Sequence, residues 1–180
     1  MKDKRYDGYE SFSYLVPGED YVPYPLARQT DRVPPFAYPV SDEQEARVRH
    51  LVRENLVISL HDHCFVAPEH LDDFLAFRRQ GRDWTGYAGL AEAGLDAVFD
   101  NLMDGTAMIT SKNGWKWDDV IYDLGMRLSD IAHQDMVTLA TTTGDIRSAK
   151  EEGRVAFVVS IEGAAMLENE GDRIDVLYGL

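Results

Sequence analysis

Three short apolar runs, separated by segments with helix signals, constrain the fold of this chain most strongly. The runs cover residues 56–60, 95–103 and 155–161, and their length and composition are typical of strands rather than of helices. Their apolar residues are continuous rather than alternating, which indicates strands covered on both faces, as in a parallel barrel or a doubly wound sheet. The sequence therefore predicts an α/β fold with parallel strands and helical crossovers.

The helices on either side of the first run are marked by their ends. Ser41 and Gln44 stand three residues apart and form a capping box at the start of one helix. After the run, Pro68 suits the first turn of a second helix, and Gly81 is typical of a helix end. One helix is therefore expected before the first strand and one after it.

Helix signals also surround the third run. Apolar residues recur about every 3.6 positions from 117 to about 140, which predicts a long amphipathic helix with His133 as a surface or packing residue. Thr143 is expected to cap a short helix over 145–152, which Gly153 ends. A last helix is expected from 168 to 180.

Residues 1–40 differ in composition from the rest of the chain. They hold six of the seven prolines and six of the nine tyrosines, and proline disfavours both helix and central strand. We expect an extended arm that lies across the folded surface or across a neighbouring subunit. A disordered tail is the alternative. The predicted division is therefore an arm over 1–40 and an α/β unit over 41–180.

The charge and the cysteine content exclude several classes of function. A net charge of −14 disfavours nucleic acid and anionic membranes as partners. Cys64 is the only cysteine, which excludes an intrachain disulfide and a thiolate metal cluster. No leader-like segment and no run of eighteen apolar residues is found. We expect a soluble, cytoplasmic protein.

Metal-binding side chains follow the first and third runs directly. His61 and His63 are two residues apart at a strand end, so their imidazoles are expected to project together. Glu162 follows the third run, and the carboxyl ends of parallel strands are where functional groups gather. Two imidazoles and a carboxylate suit zinc, so these three residues are predicted metal ligands. A histidine-rich turn, with Glu162 held by backbone amides or an arginine, is the alternative.

Several of these segments resemble the membrane (renal) dipeptidase family. The resemblance lies in Leu60-His61-Asp62-His63, in residues 140–150, in residues 153–163 and in residues 175–180. That family belongs to the amidohydrolase superfamily of metal-dependent (β/α)8 barrels. The resemblance implies two zinc ions, with His61 as the first ligand and Glu162 as a catalytic carboxylate bridging both ions. It also implies hydrolysis of a small dipeptide by a metal-activated water.

The chain departs from the family pattern in two respects. His63 stands where the family has an aspartate, although a His-x-His pair is usual across the wider superfamily, and we still assign it as a ligand. A closed barrel needs about 250 residues, so we expect only the amino-terminal part of one here. Downstream sequence or a complementing carboxyl-terminal chain would complete the site, and the expected partner is either such a chain or a second copy in a homo-oligomer. The alternatives are another amidohydrolase reaction on a small amide or amine, and an inactive fragment that serves as a binding or assembly module.

Overall fold

The computed structural model describes residues 4–34, 36–103 and 116–180, with only the backbone of Met103. These residues form six α-helices, four β-strands and two short 3₁₀ helices. The helices are α1 (Asp42–Glu54), α2 (Phe74–Arg78), α3 (Tyr87–Glu92), α4 (Trp117–Ile131), α5 (Thr143–Glu152) and α6 (Arg173–Gly179). The strands are β1 (Ile58–Asp62), β2 (Ala97–Met103), β3 (Val137–Leu139) and β4 (Val155–Glu162), and the 3₁₀ helices are Leu71–Asp73 and Ala165–Leu167.

The four strands form one parallel sheet in the order β1-β2-β4-β3. The predicted α/β architecture with parallel strands and helical crossovers is therefore confirmed, and it is consistent with part of a (β/α)8 barrel. β2 pairs with β4 along its whole length, from Ala97 opposite Ala156 to Met103 opposite Glu162. β3 is a three-residue edge strand outside β4, so β2 alone separates the strand that carries the histidines from the strand that carries Glu162.

The sheet is covered on both faces near the amino ends of its strands. Val98, Val155 and Phe157 pack with residues of α3 and α4, whereas Ala97 and Ala156 pack with residues of α5. Successive residues of a strand point to opposite faces, so apolar cover on both sides explains the continuous apolar runs. Towards the carboxyl end of β1 this cover is lost, and 74% of Leu60 is exposed.

The long helix predicted from 117 to about 140 is wrong beyond Ile131. The Gln134 side chain accepts a hydrogen bond from the Val137 backbone and donates to the carbonyls of Ile131 and Val137, which stabilises a turn in place of further helix. Val137 then enters the sheet as part of β3. Met136 and Leu139, whose apolar character fitted a helical period, lie just before β3 and at its end, and Met136 is buried against the sheet.

The boundaries of other helices also differ from the predicted ones. The capping box of Ser41 and Gln44 is present, but the cap of α5 is Thr142 rather than Thr143. The helix expected from Pro68 starts as a 3₁₀ turn at Leu71, and the last helix starts at Arg173 rather than at 168. The sequence analysis missed α3 altogether.

The described residues of the amino-terminal segment before α1 contain no helix or strand, and parts of residues 4–29 pack against the rest of the chain. Phe12 is completely buried, and the backbone of Ala27 donates to the carbonyl of Ala67. Phe36 and Tyr38 differ, because they contact each other edge to face at 4.9 Å and are 79% and 75% exposed. A boundary at residue 40 and a contact with a neighbouring subunit stay predictions.

Candidate metal centre

The structure brings His61, His63 and Glu162 together at the carboxyl edge of the sheet. His61 is in β1, His63 follows that strand, and Glu162 is the last residue of β4. The two imidazole Nε2 atoms are 3.2 Å apart. Glu162 Oε2 lies 3.5 Å from Nε2 of His61 and 3.2 Å from Nε2 of His63. Each of the three residues thus offers one potential ligand atom to the same small space.

The spacing of these three atoms fits one face of a tetrahedral metal site. Ligand atoms held about 2.0 to 2.1 Å from a tetrahedral ion lie about 3.3 to 3.4 Å from one another. The three observed separations of 3.2, 3.2 and 3.5 Å fall around that value. The spacing is therefore compatible with a single ion held by all three side chains.

The hydrogen bonding of His63 leaves a lone pair facing the carboxylate. Its Nδ1 lies 3.0 Å from the backbone carbonyl of Asn101, and a carbonyl can only accept, so Nδ1 carries the hydrogen. In the neutral ring, Nε2 is then unprotonated. It faces Glu162 Oε2, which is also an acceptor, at 3.2 Å. A hydrogen on Nε2 of His61, which lies 3.2 Å from His63 Nε2 and 3.5 Å from Glu162 Oε2, or a metal ion between the three atoms relieves this repulsion.

No lysine or arginine side chain holds Glu162 in the part of the chain that the structure describes. The contacts of its carboxylate there are the two histidine rings, so an arginine partner, one of the alternatives left open by the sequence, is not observed among those residues. The side chains of His61 and Glu162 are 58% and 52% exposed, and that of His63 is 26% exposed. The centre is therefore open on one side to water or to a small molecule.

Asn101 in β2 is a residue that the sequence analysis did not identify. Its Nδ2 donates to the carbonyl of Asp62 at 3.4 Å, and its Oδ1 accepts from Oγ of Ser160 at 2.7 Å. The side chain thus joins the histidine strand to the Glu162 strand. The pairing of Asn101 with Ser160 depends on the register of β2 and β4, which the sequence alone did not define.

A buried cluster of charges supports the loop after His63 from the opposite face of the sheet. Asp100 accepts a hydrogen bond from the Cys64 backbone at 2.9 Å, and Arg127 lies 3.4 Å from the same carboxylate. Arg127 also contacts Asp83, which pairs with Arg78. All four charged side chains are at least nine-tenths buried, so they belong to the interior rather than to the metal centre.

Asp123 is a further acid of this cluster. Burial, and next the charge of Asp83, raise the pKa of the Asp123 carboxyl to about 7, although Arg127 and Arg78 act in the opposite direction. Neither of its oxygens has a hydrogen-bond partner among the described residues. Below neutral pH the group is therefore mainly uncharged.

His133 lies apart from the metal centre. It follows α4, its ring stacks on Tyr14 at 3.6 Å, and its Nδ1 lies 2.7 Å from the carbonyl of Ser129. These contacts are those of a packing residue at the surface.

Comparisons with known proteins give a partial structural similarity at low sequence identity. No protein-family model and no curated protein match the chain. Among solved structures, the chain is similar to an amidohydrolase from Pseudomonas aeruginosa, with 18% sequence identity and a TM-score of 0.46. The match covers 73% of this chain and 33% of that one, so this chain spans about a third of the length of that amidohydrolase. The resemblance to membrane dipeptidases stays a prediction.

Proposed function

We propose that the chain carries part of the zinc centre of a hydrolase of the amidohydrolase type, which cleaves the amide bond of a small dipeptide. The observation that carries this proposal is the triangle formed by His61 Nε2, His63 Nε2 and Glu162 Oε2, whose sides measure 3.2 to 3.5 Å. Its atoms have the chemistry and the spacing that zinc requires.

Each of the three side chains has a definite role in this proposal. His61 and His63 bind as neutral imidazoles, and the hydrogen bond from His63 Nδ1 to the Asn101 carbonyl keeps its Nε2 free for coordination. Glu162 would supply the negative charge that compensates the metal. When bound, zinc supplies Lewis acidity and lowers the pKa of a coordinated water towards neutrality.

The exposure of the centre leaves room for the remaining parts of an active site. Three ligand atoms leave at least one coordination position for water, as catalytic zinc sites require. We propose that further sequence, or a complementing chain, supplies additional ligands and the residues that bind the substrate. The acidic surface is compatible with a zwitterionic dipeptide, since the charge of the metal dominates the local field.

Direct metal binding is the first test of the proposal. The chain is freed of metal with a chelator and titrated with Zn²⁺ by calorimetry, and with Co²⁺ while its visible spectrum is recorded. We expect at least one ion per chain, with binding lost or strongly weakened in His61→Ala and in Glu162→Gln. His133→Ala is the matched control and should bind like the original chain. Absence of binding, or equal losses in the control, would overturn the proposal.

His63 favours a second candidate reaction. A His-x-His pair is usual in the wider amidohydrolase superfamily, where the dipeptidase family has His-x-Asp, so hydrolysis or deamination of another small amide or amine also suits the centre. A dipeptide panel assayed beside acyl amines and lactams separates the two reactions. Turnover of the dipeptides, lost in Glu162→Gln, supports the first.

A further inference from the structure

We propose that Asn101 is a positioning residue that sets the distance between the histidine pair and Glu162. The inference rests on the proposed metal site and concerns its construction. The metal ligands come from β1 and β4, which are not neighbours in the sheet, because β2 lies between them. A single side chain on β2 that contacts both flanking strands can therefore control how far apart the ligands are.

Asn101 contacts the histidine strand in two ways. Its Nδ2 donates to the carbonyl of Asp62 at 3.4 Å, and this carbonyl belongs to the residue between the two histidines. Its own backbone carbonyl accepts from Nδ1 of His63 at 3.0 Å. The first contact fixes the backbone between the ligands, and the second fixes the orientation and the tautomer of one ring.

Asn101 contacts the glutamate strand through Ser160. Oγ of Ser160 donates to Oδ1 of Asn101 at 2.7 Å, and the two residues are directly paired in the register of β2 and β4. Ser160 and Glu162 are two residues apart in β4, so their side chains share a face of the sheet. The hydrogen bond thus fixes the position of β4 at Ser160, two residues before Glu162.

The hydrogen-bonding capacity of the Asn101 side chain is used within the protein. Its Nδ2 donates to the carbonyls of Asp62 and Phe99, and its Oδ1 accepts from Ser160. Both amide hydrogens are therefore engaged, which favours positioning over contact with a substrate. Asparagine is also an unfavourable residue inside a strand, and linking the two flanking strands accounts for its place here.

The test measures metal affinity in matched variants of the full chain. For Asn101→Ala we expect a 10- to 100-fold higher Kd for Co²⁺ and an altered visible spectrum, because loss of a residue that orients ligands has effects of this size. Ser160→Ala removes only the contact with β4 and should weaken binding less. The double variant should bind about as weakly as Asn101→Ala, since both changes break one linkage.

Ser59→Ala is the matched control for these variants. Ser59 Oγ lies 3.2 Å from both the carbonyl of His61 and the side chain of Asp62 and thus contacts the same end of β1, but none of its hydrogen bonds in the described part of the chain is to β4. Its Kd and Co²⁺ spectrum should equal those of the original chain. An equal loss of affinity in Ser59→Ala would show general loosening of the turn and would overturn the role of Asn101.

The outcomes distinguish this inference from the function on which it rests. If the original chain binds Co²⁺, Glu162→Gln does not and Asn101→Ala retains the original Kd and spectrum, the positioning role is overturned and the metal site stands. If the original chain binds no metal, both are overturned. Should Asn101→Ala fail to fold, as judged by circular dichroism, Ser160→Ala decides, and an unchanged Kd and spectrum there would overturn the inference.

Discussion

Two carboxylates, Asp130 in α4 and Glu162 at the end of β4, have opposite surroundings. Asp130 is completely buried and is surrounded by hydrogen-bond donors. Its oxygens accept from the hydroxyls of Tyr9, Ser11 and Tyr87 and from the backbone of Phe12, at 2.7 to 2.9 Å. Glu162 is half exposed and faces two imidazoles, one of which presents a lone pair.

The folded chain supplies a set of hydrogen-bond donors to Asp130 but not to Glu162 among the described residues. Ionised groups are buried in proteins only when donors or opposite charges compensate for the lost water. Asp130 receives these donors from the amino-terminal segment and from α3, so its charge helps to dock that segment. Among the described residues no comparable set of donors surrounds Glu162. Its carboxylate therefore remains available to bind an added cation.

The largest expected effect comes from removing the satisfied carboxylate. Asp130→Ala leaves several buried donors without an acceptor, and we expect a loss of about 5 kcal/mol in the free energy of unfolding. Glu162→Ala, measured in chelator, should change this free energy by no more than about 0.5 kcal/mol. Urea denaturation measures both. A loss near 1 kcal/mol in Asp130→Ala would contradict the docking role of this residue.

Asp123 is intermediate between these two carboxylates. It is buried, as Asp130 is, but its carboxyl has no hydrogen-bond partner among the described residues. Burial raises the pKa of its carboxyl to about 7 in the folded protein, above the usual value in the unfolded chain. Its stabilising contribution is therefore complete below the unfolded pKa and is lost as the pH rises through the folded pKa.

The substitution Asp123→Asn tests this sign directly. The free energy of unfolding of the original chain should fall, relative to that of the variant, by about 3 kcal/mol between pH 5 and pH 8. Urea denaturation at several pH values measures the difference, and shared effects of other groups cancel. A constant difference between the two proteins across this range would contradict a raised pKa.

A metal ion bound to Glu162 should raise the free energy of unfolding of the chain. At a free metal concentration of 100 times Kd, the original chain should gain about 2.7 kcal/mol in the free energy of unfolding. Glu162→Gln keeps the size of the side chain but loses its charge, and should gain much less. Denaturation with Zn²⁺ and with chelator measures the gain. The same gain in Glu162→Gln would place the bound metal elsewhere on the chain.

The sequence predicted those parts of the fold that depend on local patterns. The capping box of Ser41 and Gln44 and the three apolar runs involve neighbours along the chain, and the structure has them at the expected places. Residues 132–139 were misassigned because Met136, which packs against the sheet, and Leu139, at the end of β3, imitated a helical period. The outcome there depended on Gln134 and on pairing with β4, neither of which a periodicity reveals.

The candidate centre was partly accessible to the same reasoning. His61, His63 and Glu162 each follow an apolar run, and the parallel arrangement brings strand ends together, so their proximity could be expected from the sequence. Asn101 could not be found in this way. Its role depends on β2 lying between the two ligand strands and on the register that pairs it with Ser160, and both are properties of the assembled sheet.

The smallest expected effects concern two helix caps, which differ in the burial of their helices. In α5 the Thr142 side chain accepts from the Asp145 backbone, and Ile146 and Ala149 of that helix are buried. In α1 the Ser41 side chain makes the corresponding bond to Gln44, but no residue of that helix is buried.

Both caps can be removed by substitution with alanine and compared by thermal and urea denaturation. Thr142→Ala should cost about 1 kcal/mol, because α5 cannot lose its first turn without disturbing the core. Ser41→Ala should cost less, because the first turn of α1 can unfold without loss of buried contacts. Hydrogen exchange should show faster exchange confined to the start of α1 in Ser41→Ala. Equal losses of global stability in the two variants would show that α1 is held to the fold as firmly as α5.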